Sequence, residues 1–547
     1  MQNIKKKYIF IAIFALLLLF SGIALLCFDF NSKDTNAATC NVYFNADGGE
    51  CEFYELENVE TKSTITLPQI TKIKTGYTFE CWTIFSTGGS YVDVDGYTYK
   101  LGTKSDYSFK AKWTPITYEV VYIFNDDDQT QESESTKYDS YFFVESDYDV
   151  WKENYVFLGW TLIENSQNVM FRPREKVKNL TTINNSYVYL YGVWGETYLN
   201  GHYAKPQGSG IIDNPYLISN DKELAWMSYY TREIGDLEGY FKQTADIDLG
   251  AYEWYPIGTR TVIDYTAMVT EFIGNYDGCG HSIKNMRIRN TFSSSYSNRQ
   301  VGLFGKVSDS VISNLVIASG EISLPDSHPA DDMGSIVGYA SNTKIVNCSN
   351  FIDIETRELG HVGGIVGDIY GSDSLIQNCQ NYGNISGGSM IGGISGNRGL
   401  AINCYAECNL IPVQDYKISN YDSFSWHVQG ISLKCENSIF KGYIKAFSYE
   451  EYHNLATYSL CGSSTNNKNI VNCYAKISTN LDVGLLKKTG TNIIFEINGE
   501  KYYSGTDFSA FGLIEDKRIC PKSLSWQAQL SPALTIQKLQ AMGYVEY

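Results

Sequence analysis

The chain has 547 residues, of which 43% are hydrophobic and 19% charged, a balance that excludes an intrinsically disordered protein. Its length predicts about two to four domains. The net charge of −18 argues against a nucleic-acid partner, because a phosphate backbone must be neutralised by lysine and arginine. The 43 tyrosines and 47 glycines, against only 11 prolines, favour β structure with many tight turns.

Residues 1–38 are predicted to be a targeting segment. Lysines at positions 5–7 precede an apolar run over residues 8–28, which is long enough to span a bilayer. Small residues at Ala37 and Ala38 suit a signal peptidase. A cleaved signal peptide and a retained N-terminal anchor both remain open, and membrane contact is expected only if the segment is retained. Either form predicts a protein of the cell envelope, the cell surface or the medium.

A duplicated unit follows, with a first copy over residues 39–115 and a second over residues 116–195. Apolar and polar residues alternate through both copies, which predicts short, half-buried strands. Tryptophans recur at matching places and are interpreted as plugs of two small cores: Trp82, Trp113, Trp160 and Trp194.

The first copy resembles the Listeria–Bacteroides repeat, the B-repeat of internalin-type surface proteins. The resemblance is carried by Asn45-Ala46-Asp47-Gly48-Gly49, by Gly76-Tyr77-Thr78-Phe79 before Trp82, and by Ala111-Lys112-Trp113-Thr114-Pro115. The second copy lacks the Gly-Gly turn and reads Gly192-Val193-Trp194, so it is a diverged copy. The resemblance implies small β-grasp modules that serve as spacers or interaction modules on bacterial surfaces, without catalytic residues.

A linker is predicted over residues 196–210, and a second array over residues 211–477. The phrase Gly334-Ser335-Ile336-Val337-Gly338 returns at residues 363–367 and 392–396, in steps of 29 residues, and an Asn-Cys pair follows each copy. A fixed period of this size predicts a stacked array with an Ile/Val interior, glycines at close-approach corners, and ladders of asparagines and buried thiols. The predicted repeat positions are Gly334, Gly338, Gly363, Gly367, Gly392, Gly396, Asn347, Asn378, Asn403, Asn472, Cys348, Cys379, Cys404 and Cys473.

This array resembles the GLUG-type β-helices of bacterial adhesin-like proteins, through the Gly-Gly-Ile-Val-Gly phrases and the related Val301-Gly302-Leu303-Phe304-Gly305. The resemblance implies a right-handed parallel β-helix. Helical spacing over residues 224–230 predicts an N-terminal cap. Residues 478–547 lose the repeat and are predicted to form a C-terminal cap that includes a short helix after Ser531. The predicted fold class is all-β: two β-grasp-like repeats, then a right-handed parallel β-helix with terminal caps.

The usual catalytic signatures of a zinc protease, a hydrolase elbow and a phosphate-binding loop do not occur in the sequence. A polysaccharide lyase or hydrolase remains the enzyme alternative, because acid–base chemistry needs clustered carboxylates or basic groups. Its candidate residues, otherwise interpreted as a solvated loop, are Asp326, His328, Asp331, Asp332, Arg357 and His361. No cofactor or metal is predicted. Disulfides between Cys51 and Cys81, or between Cys404 and Cys408, are a further possibility.

We therefore interpret the sequence as an exported bacterial surface protein that binds an extracellular glycan, or a host or bacterial surface protein, without catalysis. The alternatives are a β-helix enzyme acting on polysaccharide and a purely structural spacer. A deep acidic groove would favour the enzyme, a face with aromatic rows would favour adhesion, and an even polar surface would favour the spacer.

Overall fold

The computed structural model describes residues 38–85, 89–146, 150, 152–258, 260–263, 266–289, 300–324, 332–357, 360–412, 427–445, 457–461, 470–471, 473–479, 493–504, 511–513 and 519–521. The chain divides into two compact units, one ending at Ile116 and one beginning at Thr117. The apolar run near the N-terminus, Asn472 and the helix predicted after Ser531 lie outside the described residues. Among the helices within those ranges, none is both long and apolar enough to cross a membrane.

The first unit contains one main mixed sheet and two short strand pairs. Its strands are β1 (Thr39–Asn45), β2 (Glu50–Cys51), β3 (Glu55–Glu60), β4 (Thr64–Thr66), β5 (Ile70–Lys72), β6 (Tyr77–Phe85), β7 (Tyr91–Val94), β8 (Thr98–Lys100) and β9 (Asp106–Pro115). The main sheet has the order β3-β1-β9-β6-β7, with β1 and β9 parallel and the other neighbours antiparallel. Alternate residues of β1, such as Val42 and Phe44, are buried, which is the pattern expected of half-buried strands.

The second unit opens with a sheet of the same design. Its strands are β10 (Thr117–Ile123), β11 (Gln131–Lys137), β12 (Phe142–Phe143), β13 (Tyr155–Thr161), β14 (Lys176–Val177) and β15 (Ser186–Glu196). The order β11-β10-β15-β13 repeats the antiparallel, parallel and antiparallel pairings of β3-β1-β9-β6. The duplication seen in the sequence is therefore also a duplication of topology.

The four tryptophans lie in or against the cores of these two sheets. Trp82, Trp160 and Trp194 are buried, and Trp113 packs against the core of the first unit while remaining partly buried. Each indole N–H donates to a backbone carbonyl: Pro68 at 3.0 Å, Ala46 at 2.9 Å, Glu145 at 2.7 Å and Phe124 at 2.6 Å, for Trp82, Trp113, Trp160 and Trp194 in turn. These rings can fill the cores without leaving a buried donor unsatisfied.

Residues that follow the second sheet pack closely before the solenoid begins. Thr197 and Tyr198 are buried, and the Tyr198 hydroxyl donates to the Leu249 carbonyl. The predicted helix is confirmed as α1 (Asp221–Glu233), which begins where the Asn220 side chain accepts a hydrogen bond from the Glu223 N–H. Its buried face includes Leu224 and Met227, and both belong to the core of the solenoid.

The rest of the described chain is dominated by a parallel β-solenoid of about five turns, as the repeat period predicts. Its coils contribute strands to three sheets. The first sheet contains β16 (Tyr216–Ile218), β17 (Leu237–Gln243), β21 (Phe272–Asp277), β25 (Phe304–Ser308), β26 (Val311–Ser313), β30 (Val337–Ser341), β31 (Lys344–Val346), β35 (Val366–Tyr370), β36 (Leu375–Gln377), β40 (Ser395–Asn397), β41 (Leu400–Ile402), β45 (Lys434–Glu436) and β48 (Ile470–Val471).

The second solenoid sheet contains β18 (Ile247–Asp248), β22 (Ser282–Lys284), β23 (Met286–Ile288), β27 (Val316–Ile317), β28 (Gly320–Leu324), β32 (Ser349–Asn350), β33 (Ile354–Thr356), β37 (Gln380–Asn381), β38 (Ile385–Ser386), β42 (Tyr405–Glu407), β43 (Leu410–Ile411), β46 (Ile439–Ile444), β49 (Tyr474–Thr479), β50 (Ile493–Ile497) and β51 (Glu500–Ser504). The third contains β24 (Gln300–Val301), β29 (Asp332–Gly334), β34 (His361–Gly363), β39 (Met390–Gly392), β44 (His427–Ser432) and β47 (Thr457–Cys461). Two further antiparallel pairs occur among the described residues: β19 (Arg260–Ile263) with β20 (Thr266–Val269), and β52 (Phe511–Leu513) with β53 (Ile519–Pro521).

The recurring glycines are placed where successive coils approach each other. A Cβ atom built on Gly338 would lie 2.6 Å from the Val301 nitrogen and 2.8 Å from the Gly305 oxygen, and these are backbone atoms of the preceding coil. Its φ angle is not in the left-handed region, so close approach, and not backbone freedom, requires glycine here. Gly367 and Gly396 are crowded in the same way, by backbone atoms of the preceding coil. At Gly334, Gly363 and Gly392 the nearest atom to such a Cβ is a carbonyl oxygen three residues later in the same coil.

The asparagines of the repeat form a hydrogen-bonded ladder. The side-chain nitrogen of Asn347 donates to the oxygen of Asn314 at 3.0 Å, Asn378 donates to Asn347 at 3.0 Å, and Asn403 donates to Asn378 at 3.3 Å. All four have φ between +53° and +55°, a left-handed conformation that asparagine tolerates better than most residues. The same residue thus makes the turn and bonds to the next coil.

The cysteines that follow the asparagines lie inside the solenoid. Cys348, Cys379, Cys404 and Cys473 are fully buried free thiols, and Ser438 occupies the corresponding position in the intervening coil. The two suggested disulfides are not formed, since Cys51, Cys81, Cys404 and Cys408 are all free cysteines in the structure.

Candidate functional site

Two of the six acid–base candidates come together on the third solenoid sheet. Asp332 begins β29 and His361 begins β34, and the two residues are direct partners in the parallel pairing of these strands. Arg357 is exposed just beyond β33, whereas Asp326, His328 and Asp331 lie outside the described residues. The stacking of coils brings Asp332 and His361 together, although they are 29 residues apart in the chain.

Asp332 and His361 form a partly buried hydrogen-bonded pair. The Nδ1 atom of His361 lies 2.8 Å from an oxygen of Asp332, and 3.9 Å from an oxygen of Asp368. Both aspartates are buried, with 6% and 1% of their surface exposed, respectively. Two carboxylates beside an imidazole favour its charged form.

Asp368 is also held by an arginine of the next coil. It lies in β35 opposite Asn397, so the adjoining Arg398 reaches it from the neighbouring coil. Arg398 Nε donates to one Asp368 oxygen at 2.9 Å, and its Nη2 donates to the other, which gives a bidentate pair. The guanidinium also lies 4.9 Å from the centroid of the Tyr370 ring. We call Asp332, His361, Asp368 and Arg398 the charged cluster.

Electrostatics within the charged cluster favour a protonated histidine. Burial opposes the charge on His361, but the hydrogen bond that it donates to Asp332 and the charges of Asp332 and Asp368 outweigh this effect, so the pKa of His361 lies above its ordinary value. Two carboxylates are then balanced by an imidazolium and a guanidinium. The charged cluster is close to neutral and links three consecutive coils.

The charged cluster offers limited chemistry. One nitrogen and two oxygen ligand atoms of Asp332, His361 and Asp368 lie within 4.8 Å of one another, which is a ligand set of the kind that transition metals accept. However, both oxygens of Asp368 already bond to Arg398, whose positive charge would repel a cation. Acid–base catalysis would likewise need a carboxyl group directed at substrate, and here each carboxylate bonds to a cationic side chain.

A second feature is a row of tyrosines on the exposed face of the second sheet. Tyr187, Tyr189 and Tyr191 alternate along β15 with inward-facing Val188 and Leu190. Tyr187 is 61% exposed and Tyr189 46% exposed, and Tyr191 is half-buried. The ring planes of Tyr189 and Tyr191 are inclined by 27°, and the ring centroids lie 6.5 Å apart. We call these three residues the tyrosine row.

Reading of the sequence overlooked Asp368, Arg398 and the tyrosine row. The alternating run Tyr187-Val188-Tyr189-Leu190-Tyr191 was a usable signal, because every second residue of a strand shares one face. Asp368 and Arg398 had no comparable signal, since their pairing depends on which residues of adjacent coils lie in register.

The first sheet matches a known family of protein domains. The segment of residues 41–112 matches the model of the Listeria-Bacteroides repeat domain. Residues 41–112 are a Listeria-Bacteroides repeat domain. This repeat is typical of bacterial surface proteins. Because the sheet of residues 117–196 repeats its strand order, the second copy shares the topology of a Listeria-Bacteroides repeat.

Comparisons with whole proteins add little. None of the curated proteins matches the chain. A crystal structure of a Bacteroides ovatus protein, described as a putative immunoglobulin A1 protease, is similar at a TM-score of 0.37 and 17% sequence identity. The similarity covers 60% of this chain and 97% of that chain. A likeness of this degree carries no argument about activity.

Proposed function

We propose that this chain is an adhesin-like bacterial surface protein that binds an extracellular ligand without catalysis. The observation that carries the proposal is the tyrosine row, an exposed aromatic strip on a rigid sheet. Exposed tyrosine supplies a large contact area at a low cost in conformational entropy, and is therefore enriched in binding surfaces. The Listeria-Bacteroides repeat and the solenoid suit a protein displayed outside the cell.

The state of the charged cluster supports binding over catalysis. An acid–base enzyme needs groups whose protonation serves the reaction, whereas the carboxylates of Asp332 and Asp368 are bonded to His361 and Arg398. A spacer is less well supported, because an even polar surface would not place three tyrosines in register on one strand.

The test uses residues Thr39 to Tyr547, which leave out the predicted targeting segment. This protein is incubated with immobilised polysaccharides and with bacterial and host surface proteins, and both retention and the release of new polysaccharide chain ends are measured. Retention without new chain ends is the expected result. New chain ends that disappear in Asp332→Asn would overturn the proposal in favour of an enzyme, and a lack of retention on every ligand would favour a spacer.

A further inference from the structure

We infer that the tyrosine row and an adjoining cleft form one binding site for a neutral glycan chain. This inference rests on the proposed function and names the ligand class and its location. It differs from the expectation drawn from the sequence, which assigned binding to the solenoid face.

The cleft lies where the second sheet meets the solenoid, within the second unit. Its volume is about 250 Å³, and its apolar wall includes Val169 and Met170 from the segment after β13. Met170 is 47% exposed, so the wall is accessible. The volume is below the range of roughly 300–1,000 Å³ typical of drug-sized ligands, which limits the occupant to about one ring.

Charges around the cleft are balanced. Arg172 and Glu175 line it from the second sheet, and Arg289 and Glu321 line it from the solenoid. Arg172 Nη1 donates to Glu355 at 3.1 Å, and Arg289 Nε donates to the buried Glu253 at 2.9 Å. Each guanidinium has five N–H donors, so these bonds leave others available. A balanced set of donors and acceptors beside an apolar wall suits a neutral polyhydroxylated ring and does not suit a strongly charged ligand.

The cleft and the tyrosine row lie along the same face of β15. Val193 packs with Leu158 and against Val169, and both of these residues line the cleft. Every second residue of a strand lies on the same face, so Val193 shares its face of β15 with the tyrosine row. Successive residues on this face are about 6.8 Å apart, and the tyrosines lie progressively farther from the cleft. An extended chain could therefore place one ring in the cleft and stack further rings on the tyrosines.

Aliphatic residues of β10 lie directly beside the tyrosine row, and polar residues of β11 lie one strand further out. Tyr189 is the cross-strand partner of Val121 in β10, and Val121 is the partner of Ser133 in β11. Tyr191 is likewise the partner of Ile123, which pairs with Gln131. Val121 and Ile123 thus widen the apolar strip beside the tyrosines, and Ser133 and Gln131 offer a hydroxyl and an amide at its outer edge. Such a surface can contact both the apolar face and the hydroxyls of a sugar.

The first sheet lacks this feature at the matching positions. The two sheets can be aligned on the tryptophans that close them, Trp113 and Trp194. The positions of Tyr189, Tyr191 and Val193 then correspond to Ser108, Lys110 and Lys112. Lys112 is engaged by Glu80 at 3.0 Å and by Asp93 at 2.6 Å. The same topology thus carries a charged strip in one copy and an aromatic strip in the other, which provides an internal comparison.

The experiment measures binding of the chain from Thr39 to Tyr547 to neutral polysaccharides (glucans, mannans, xylans) and to polyuronic acids, with matched variants. Tyr189→Ala and Met170→Ala are each expected to weaken binding of a neutral polysaccharide by about tenfold or more, as for central contacts of an interface. Tyr97→Ala removes an 81% exposed tyrosine from the first unit and is the control, with no change expected. Thermal unfolding of each variant checks that the fold is intact.

The outcomes separate this inference from the proposed function. Binding of neutral glycan that survives both Tyr189→Ala and Met170→Ala overturns the site and leaves the proposed function standing. Retention only on polyuronic acids or only on proteins overturns the ligand class. Cleavage of the polysaccharide overturns the proposed function itself.

Discussion

At the scale of single residues, the charged cluster shows how a solenoid places charges. In-register parallel stacking puts equivalent side chains about 4.8 Å apart, so a column of like charges would repel. Asp332 and His361 are stacked neighbours of opposite charge, and Asp368 forms an ion pair with Arg398 of the next coil. Contacts of this kind between particular coils favour one register of stacking, which a uniform apolar interior alone would not specify.

The pH dependence of the charged cluster follows from His361. Its pKa is raised in the folded chain, so its ion pairs contribute stability that is fully present below the unfolded pKa of about 6.5 and is lost as pH rises through the folded pKa. His361→Gln is expected to lower the free energy of unfolding by about 1.5–3 kcal/mol near pH 6. The difference from the unsubstituted chain should shrink at alkaline pH.

Urea unfolding followed by circular dichroism, repeated from acid to alkaline pH, measures this difference. His281→Gln is the matched control, because His281 Nδ1 lies 3.6 Å from the exposed carboxylate of Asp246, a longer and more solvated contact than the one between His361 and Asp332. A smaller effect is therefore expected. A stability difference that stays constant with pH would contradict the role assigned to His361.

The asparagine ladder gives a second prediction about a residue. Asn378 has φ of +55° and bonds to both Asn347 and Asn403, so Asn378→Ala removes the ladder bonds and also strains the backbone. Asn378→Gly removes the same bonds without that strain. We expect losses of about 2–4 kcal/mol for alanine and about 1–2 kcal/mol for glycine, measured by denaturant unfolding. Equal losses would show that the left-handed turn contributes nothing.

At the scale of elements, the recurring glycines of the solenoid determine how closely its coils can stack. Gly338 lies within β30, where a methyl group would meet backbone atoms of the coil before it. Backbone atoms cannot rotate away as a side chain could, so the stack must open locally. The glycine phrase is therefore a requirement of packing in every coil that carries it.

Gly338→Ala is expected to destabilise the solenoid by about 1–3 kcal/mol or more, the usual range for overpacking a tight interior. Gly102→Ala is the control, because its new methyl group would meet only the Tyr107 hydroxyl, at 3.0 Å, in the first unit. Thermal unfolding compares the two. A midpoint unchanged by Gly338→Ala would mean that the coils can separate at no cost.

Much of the fold at this scale could be predicted, because periodicity and residue type determine it. The glycine period indicated the stack, the apolar run with helical spacing indicated α1, and the alternating strands indicated the two repeat sheets. Partners that depend on register could not be predicted, as the bond between Asp368 and Arg398 illustrates. Nor could the cleft, since Met170 and Arg289 belong to segments that only the packed second unit brings together.

At the scale of the whole molecule, the boundary at Ile116 yields a prediction about folding. The core of the first unit contains residues of that unit alone, from Cys40 to Trp113. We expect residues 38–116 to fold when expressed separately. Dispersed amide signals in a two-dimensional NMR spectrum and cooperative thermal unfolding would support this, and a spectrum typical of an unfolded chain would refute it.

The parallel stacking of the coils also determines how the solenoid would respond to tension. Hydrogen bonds between coils run along the stacking direction, so a pulling force applied at the two ends of the stack loads them one coil at a time. Extension should therefore occur as a series of small steps at low force. Each step would release about 100 Å of chain for a 29-residue coil. Single-molecule force spectroscopy would record this sawtooth, and one abrupt rupture of the whole stack would rule it out. A protein of this design would lengthen under shear while the coils that have not yet opened keep their shape.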